Sequence, residues 1–244
     1  MIDSAHYIDK RNVALWEELN HSDFSIAIEE SKEPNYGCYC QKKNATIYVL
    51  TSQPNPASFA HELLHVKYRT NGMLAGCRLR LMIQEHPVLN DVITKETIDV
   101  ITNCMEHVKM LPQFLAMGYK NDEFITDYNS CKMNLTEFSA LCNWYIVDKT
   151  PAMDRFIGSY FAMRADNNPE HKYNTYFRLM KLLNKSLFEI VERFWNDWLQ
   201  YDTEKQREIW EPDYGPMISN FVKDLGIYFL QFTQITLSHK NVCS

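Results

Sequence analysis

The chain has 244 residues, of which 45% are hydrophobic and 23% charged, as is typical of a globular protein with one substantial core or a core and a smaller lobe. The net charge of −6 argues against nucleic-acid binding, because phosphate contacts need clustered lysine and arginine side chains. A bilayer span needs about 20 nearly uncharged residues, and the most apolar run, 217–237, contains both Lys223 and Asp224. Because the N-terminus also lacks the apolar segment of a signal peptide, we expect a cytoplasmic protein with no membrane partner.

The first 55 residues predict one helix followed by three strands. Apolar residues recur at helical spacing over 5–20, and β-branched and aromatic residues alternate in the strand manner at 24–28, 36–40 and 45–51. The last two strands bracket 41–44, a loop of about four residues that suits a β-hairpin. We therefore predict a small antiparallel sheet of about three strands.

A helix predicted from residue 57 or 58 to about 70 carries His61-Glu62-Leu63-Leu64-His65. Residues four apart lie on one face of a helix, so His61 and His65 can bind one Zn²⁺ at about 2.0–2.1 Å each. Glu62 lies about 100° further round the helix axis than His61, where its carboxylate can take a proton from a metal-activated water. The alternative is a surface helix with two unrelated histidines, but Glu62 is the only fully charged residue between 58 and 66, and this favours a buried metal site.

The motif His61, Glu62 and His65, together with the strand that precedes it, resembles the HExxH zincin metallopeptidases over about 45–120. The resemblance implies an α+β, mostly α fold, with the small sheet placed before the metal helix and an edge strand bordering the cleft. Lys67 departs from it, because many zincins have an apolar residue there. Among cytoplasmic zincins, ImmA/IrrE-type regulatory proteins are similar in class only.

Catalytic zinc takes three protein ligands and keeps a fourth position for water. Residues 66–75 contain no histidine, aspartate or glutamate, so the third ligand must come from a later helix, as in the gluzincin branch, where a glutamate supplies it. The helix predicted at 94–111 carries two candidates. Glu106 borders the apolar face defined by Ile98 and is the preferred ligand, whereas His107 points away from that face and is the alternative ligand or a contact for the substrate or oxyanion.

One further residue of this helix has a predicted role. Asn103 precedes Glu106 by one turn, so its side chain could hydrogen-bond the Glu106 carboxylate. The segment 103–112 also resembles a run found after HExxH in uncharacterised bacterial zincin-like proteins, which implies that Glu106 and His107 both belong to the site.

The cysteines and the other histidines show no metal-ligand spacing. An odd number of cysteines without a CxxC motif favours free thiols, and Cys38 and Cys40 would share one face of a strand. The seven cysteines are Cys38, Cys40, Cys77, Cys104, Cys131, Cys142 and Cys243. We expect the remaining histidines to be structural or exposed, and these are His6, His21, His86, His171 and His239.

The C-terminal half is predicted to be helical. Apolar residues recur at helical spacing over 73–86, 135–147, 151–164, 170–200 and 216–237, and 202–206 offers a capping box for a short helix. We therefore predict a metal-binding domain over 1–125 and a helical lobe over 126–244 that does not fold independently.

These patterns predict a zinc-dependent metallopeptidase with one Zn²⁺ per chain and a peptide or protein as substrate. Glu62 would be the general base, and Tyr119, Tyr128 and His107 are candidate donors to the oxyanion. Two alternatives are a zincin scaffold that binds a regulatory protein partner and a hydrolase of a non-peptide amide or ester. An open groove along 45–51 would favour a peptide, and a closed pocket roofed by 120–240 would favour a small molecule.

Overall fold

The computed structural model describes residues 2–203 and 213–242. The described structure is mostly helical, with a single three-stranded sheet near its N-terminus. The elements in chain order are α1 Val13–Asn20, β1 Ser25–Glu30, β2 Gly37–Gln41, β3 Asn44–Val49, α2 Pro56–Thr70, α3 Ala75–Glu85, α4 Leu89–Val92, α5 Lys95–Ala116, α6 Leu135–Val147, α7 Lys149–Ala165, α8 Asn174–Leu183, α9 Lys185–Gln200 and α10 Gly215–Val242. The predicted class, α+β and mostly α, is confirmed.

The chain forms two compact units, each built from separated segments. The first contains Met1–Leu74, Glu106–Ser130 and a short segment that begins at Asp202, and its core surrounds Phe59. The second contains Ala75–Met105, Cys131–Tyr201 and the C-terminal helix. The boundary between them falls inside α5, and the division at residue 125 stays a prediction.

The sheet is mixed rather than antiparallel, and this part of the fold prediction was wrong. The strand order is β1-β3-β2, in which β3 pairs antiparallel with β2 and parallel with β1. The chain passes from β1 to the far edge through 31–36, and the hairpin then inserts β3 between the two earlier strands. The hairpin turn has two residues, Lys42 and Lys43, instead of about four, and Lys42 adopts φ 55°.

The N-terminal helix is shorter than predicted, because polar side chains hold the segment before α1 in a loop. Asn12 donates its side-chain amide to the carbonyls of Tyr7 (3.0 Å) and Pro56 (3.1 Å). Asp9 accepts from the backbone N–H of Arg11 at 2.7 Å. These bonds satisfy buried polar groups outside a helix and fasten the segment to the start of α2.

The helix α2, which carries the histidine motif, begins and ends as its sequence indicates. The side chain of Asn55 accepts from the backbone N–H groups of Ala57 (2.9 Å) and Ser58 (3.2 Å), and Pro56 occupies the first turn. At the other end Gly72 adopts φ 73°, which glycine tolerates without strain. The helix packs on α1, β2 and β3, so its inner face is buried in the first unit.

Two predicted helix limits differ from the structure. The helix α5 continues through Pro112 to Ala116, although proline removes a backbone hydrogen bond, and the fully buried Met110 and Phe114 on either side offset that loss. The predicted helix 170–200 is two helices, α8 and α9, because Asn184 turns its side chain back to cap α9 and accepts from Leu187 N at 3.1 Å.

The other helical predictions agree with the structure within a few residues, apart from the short helix α4, which was not predicted. The predicted capping box at 202–206 extends outside the described residues. Among the helices that the structure describes, none combines the length and the apolar character that a membrane span requires.

Candidate metal centre

The histidine pair of α2 is arranged as the i, i+4 spacing predicts. Nε2 of His61 and Nε2 of His65 face each other at 3.2 Å. Two nitrogens that bind one tetrahedral Zn²⁺ at about 2.0–2.1 Å would lie about 3.3 Å apart. The pair therefore has the separation that a shared zinc ion requires.

A third histidine joins this pair from α5. One ring nitrogen each of His61, His65 and His107 lie within 4.8 Å of one another, a group that could hold a metal ion within the described part of the chain. The ring of His107 lies 4.8 Å from that of His61 and 5.5 Å from that of His65, measured between centroids. To complete a tetrahedral site, the His107 nitrogen would move inward by about 1–2 Å.

Glu106, the preferred third ligand from the sequence, lies outside this group. Its Oε2 is 2.7 Å from Nδ1 of His65, and its Oε1 accepts from Arg69 Nη2 at 2.8 Å. Both carboxylate oxygens are therefore engaged behind His65, away from Nε2. The structure therefore groups His107, the alternative ligand from the sequence, with His61 and His65 and holds Glu106 against the far side of the His65 ring. The assignment of the third ligand stays a prediction.

The sequence prediction for Glu106 treated α5 as one amphipathic helix with a single buried face. Its first half, from Lys95 to Met105, belongs to the second compact unit, whereas Glu106 begins the half that belongs to the first unit. A face that is buried in one unit does not predict the face that is buried in the other. Asn103 is exposed, and the Glu106 carboxylate contacts His65 and Arg69, so the role of Asn103 beside the metal stays a prediction.

Arg69 is the site residue that the sequence reasoning missed. It follows His65 by one helical turn, so the i, i+4 rule that paired the histidines would also have placed Arg69 on the same face. Besides Glu106, it contacts the carbonyl of Met73 at 2.8 Å through Nη1. Arg69 therefore fixes the carboxylate that fixes His65.

The electrostatics of the two α2 histidines differ. Burial lowers the pKa of His61 well below its ordinary value, and His107 and His65 lower it further, so His61 is neutral and can offer a lone pair. Burial acts in the same direction on His65, but the hydrogen bond and the charge of Glu106 outweigh it and raise the pKa of His65. The carboxylate of Glu106 remains ionised, because contacts with His65 and Arg69 overcome burial and lower its pKa.

Glu62 is buried beside the histidines, with 7% of its surface exposed. Burial raises the pKa of its carboxyl to about 7, against a smaller lowering effect of His65. A carboxyl with a pKa near the working pH is suited to accept and return a proton. The position and the environment of Glu62 both fit the predicted base.

An apolar wall closes one side of the cluster. The ring of Phe124 lies 4.7 Å from that of His61 and 5.4 Å from that of His107, and it packs on the buried Phe114. Phe124 follows α5 in a loop, and its sequence context contains no signal for this role. An apolar surface beside the histidines limits the access of water and strengthens electrostatic interactions there.

The two tyrosines predicted as oxyanion donors differ in environment. The hydroxyl of Tyr119 donates to the carbonyl of Pro56 (3.1 Å) and contacts the carboxylate of Asp9 (3.3 Å), and its ring stacks on Phe114. Tyr119 therefore anchors the N-terminal loop. Tyr128 is partly buried in the loop that follows Phe124 and remains the candidate donor.

The six cysteines in the described residues are free, as predicted, and Cys243 lies outside those residues. His86 is structural, since its Nδ1 accepts from the backbone N–H groups of Val88 and Leu89 at 3.2 Å each. His171 contacts the buried carboxylate of Asp166 at 2.6 Å.

Comparisons of the chain with protein-family models, with curated proteins and with solved structures found no match. The resemblance to zincins therefore stays a prediction that rests on His61, Glu62 and His65. Its gluzincin refinement required a glutamate ligand, which the position of Glu106 does not favour.

Proposed function

We propose that this chain is a zinc-dependent hydrolase of peptide bonds, with one Zn²⁺ held by His61, His65 and His107 and with Glu62 as the general base. One observation carries the proposal: three imidazoles converge within 4.8 Å beside a buried carboxyl whose pKa is raised to about 7. A set of three histidines is an established ligand set for catalytic zinc, and it leaves a fourth position for water or substrate.

The protonation of the two α2 histidines suits zinc, as does the separation of their Nε2 atoms. A metal ligand must present a lone pair, and the lowered pKa of His61 keeps that ring neutral. The contact between His65 Nδ1 and Glu106 holds the proton on Nδ1 and leaves Nε2 for a ligand bond. The pairing of a carboxylate with a metal-bound histidine is a common way to orient the ring and raise its basicity.

The chain's residues divide the reaction between them. When bound, Zn²⁺ lowers the pKa of a coordinated water toward about 7 and polarises the scissile carbonyl. Glu62 accepts the proton of the attacking water and returns it to the departing amine nitrogen. Phe124 excludes bulk water from the side that it covers, and Glu106 with Arg69 keeps His65 in place during turnover.

The edge strand β2 favours an extended peptide as the substrate. The strand predicted to border the cleft, β3, is paired on both sides and so has no free edge in the sheet that the structure describes. The strands that pack on α2 are β2 and β3, and of these two β2 has a free edge within the described sheet. In a hairpin with a two-residue turn, Gln41 and Asn44 form the hydrogen-bonded pair that closes the turn. Hydrogen-bonded and non-hydrogen-bonded pairs then alternate along the two strands, so the backbone N–H and C=O groups of Cys40 and Cys38 face away from β3. An extended peptide can pair with such groups.

A binding module without catalysis is the competing function. It would need the metal ligands but not Glu62, and burying a carboxyl in an apolar setting is costly unless the group has a task. The intact Glu62 therefore favours an enzyme.

The first experiment measures the metal content of the purified chain. We expect about one equivalent of zinc in the wild type and in His6→Ala, which removes an exposed histidine far from the motif in sequence, and a large loss in His61→Ala. Equal trace metal in wild type and His61→Ala would contradict the zinc site. A screen of a peptide library, run beside a panel of simple amides and esters, then tests the substrate class, and cleavage confined to the second panel would contradict the peptide assignment.

A further inference from the structure

Two thiols lie side by side on the edge strand of the sheet. Cys38 and Cys40 project to the same side of β2, and their Sγ atoms are 3.5 Å apart. Tyr39 between them projects to the other side and is 56% exposed. Both cysteines are partly buried, so the pair is neither sealed in the core nor fully in solvent.

A bond between these sulfurs requires β2 to bend locally. Residues two apart in a regular strand have Cα atoms separated by about 6.6 Å, at the upper end of the range of about 4.4–6.8 Å found in disulfides, and their Cβ atoms must converge to about 3.5–4.5 Å. The sulfurs must approach from 3.5 Å to about 2.05 Å. An edge strand can twist to allow this, and β2 has β3 as its one strand partner in the described sheet.

The environment gives the two thiols different roles. The hydrogen bond between them raises the pKa of Cys38, and burial raises it further, so Cys38 stays a thiol. The same bond lowers the pKa of Cys40, burial opposes this, and the positive charge of Arg69 lowers the pKa again. Cys40 is therefore the thiol that attacks, and Cys38 is placed to resolve the product.

We propose that Cys38 and Cys40 form a redox-active dithiol that a small-molecule disulfide, such as oxidised glutathione, converts to an intramolecular disulfide. The Cys40 thiolate attacks one sulfur of the oxidant, the sulfur–sulfur bond of the oxidant breaks, and one glutathione thiolate leaves. Cys38 then loses its proton and attacks Sγ of Cys40, which releases the second glutathione. The protein loses two electrons and two protons, and one oxidised glutathione becomes two reduced molecules.

The thiol–disulfide exchange uses neither a metal ion nor Glu62 as a base, so its test can fail or succeed whatever the outcome for the proposed hydrolase. Its test uses the full-length chain in glutathione buffers of increasing oxidising strength, quenched with acid, alkylated and digested with trypsin. Cleavage after Lys32 and Lys42 yields the one tryptic peptide with two cysteines, 33–42, so its redox state is read directly by mass.

We expect peptide 33–42 to carry two alkylated thiols in reducing buffers and none in oxidising buffers, where its mass is that of the unalkylated peptide minus two hydrogens. The change should extend over a roughly hundredfold range of the ratio of the squared concentration of reduced glutathione to the concentration of oxidised glutathione. Cys77 and Cys131, which are exposed single thiols, serve as internal controls and should gain glutathione without an internal bond. The proposal is overturned if 33–42 keeps both thiols, or carries glutathione on both, while these controls are modified.

The variant Cys38→Ser tests the order of attack. It should stop at a stable glutathione adduct on Cys40, because the resolving thiol is absent, whereas Cys40→Ser should leave Cys38 mostly reduced under the same conditions. Each variant retains one of the two thiols, so the rates at which they gain glutathione can be compared. If Cys38 gains it faster than Cys40 does, the assigned roles are wrong. The wild-type readout remains decisive even if a variant folds poorly.

Discussion

Oε2 of Glu106 lies 2.7 Å from Nδ1 of His65, and this contact determines what the other nitrogen of His65 can do. With the Nδ1 proton held by the carboxylate, Nε2 faces Nε2 of His61 at 3.2 Å. Two facing lone pairs at that distance would repel each other, so the two nitrogens share either a proton, in an N–H···N hydrogen bond, or a metal ion if one binds. In the proposed site, Glu106 would therefore act on the metal through His65.

This relationship predicts that the neighbouring residues Glu106 and His107 differ in their effect on zinc binding. His107→Ala should empty the site, because it removes a ligand. Glu106→Gln should weaken zinc affinity by only about 10–100-fold, because a group that orients a ligand is worth that much. Zinc occupancy after dialysis against a mild chelator measures both, and retention in His107→Ala with complete loss in Glu106→Gln would restore the glutamate as the ligand.

Glu62→Gln should retain zinc but lose turnover by about 10²–10⁴-fold, the contribution typical of a positioned general base. The ligands are untouched, so the metal content should match that of the wild type. Initial rates on a substrate from the peptide screen, normalised to bound zinc, measure the effect. A zinc-loaded variant with the wild-type rate would remove Glu62 from the mechanism.

The buried carboxyl of Glu62 also predicts a pH-dependent stability of the metal-free protein. Its pKa rises on folding from 4.5 to about 7, so the folded state favours the protonated form. The stability that depends on this proton is complete below about pH 4.5 and is lost as the pH rises through 7. Above pH 7 the charged form costs the folded state about 3 kcal/mol.

In urea unfolding with chelator present, we therefore expect Glu62→Gln to be more stable than the wild type at about pH 8. The difference should shrink strongly near pH 5, where the wild-type carboxyl is mostly protonated in the folded protein. A difference of the same size at both pH values would show that the substitution acts through packing rather than through charge.

Two helical glycines in the second unit form a matched pair for a stability test. A Cβ at Gly226 in α10 would lie 2.3 Å from Nε2 of His86, whose ring is held by its bonds to Val88 N and Leu89 N. A Cβ at Gly158 in α7 would meet Thr97 Oγ1 at an ordinary 3.4 Å. We expect Gly226→Ala to destabilise by about 1–3 kcal/mol through overpacking.

The control Gly158→Ala should be neutral or stabilise by up to about 1 kcal/mol, because alanine is the better helix former. Chemical denaturation of both variants gives the comparison. Equal midpoints would mean that the His86 ring can move aside without loss.

The helical period alone determined the centre of the site. His61 and His65 had to share a face once 56–70 was helical, and Asn55, Pro56 and Gly72 determined where that helix begins and ends, because capping and positive φ depend on neighbouring residues. The same local rules predicted the hairpin and nearly every later helix.

Tertiary structure decided the rest, because it depends on which elements pack together. The residues of α5 before Glu106 belong to one compact unit and those from Glu106 onward to the other. The buried face of the helix therefore changes along its length, and the local sequence of α5 does not predict this change or the positions of Glu106 and His107 relative to His65. The insertion of β3 between β1 and β2 made the sheet mixed and left β2 as the edge. Phe124 reaches the histidines by a loop, and the place of a loop residue depends on the packing around it rather than on a local periodicity.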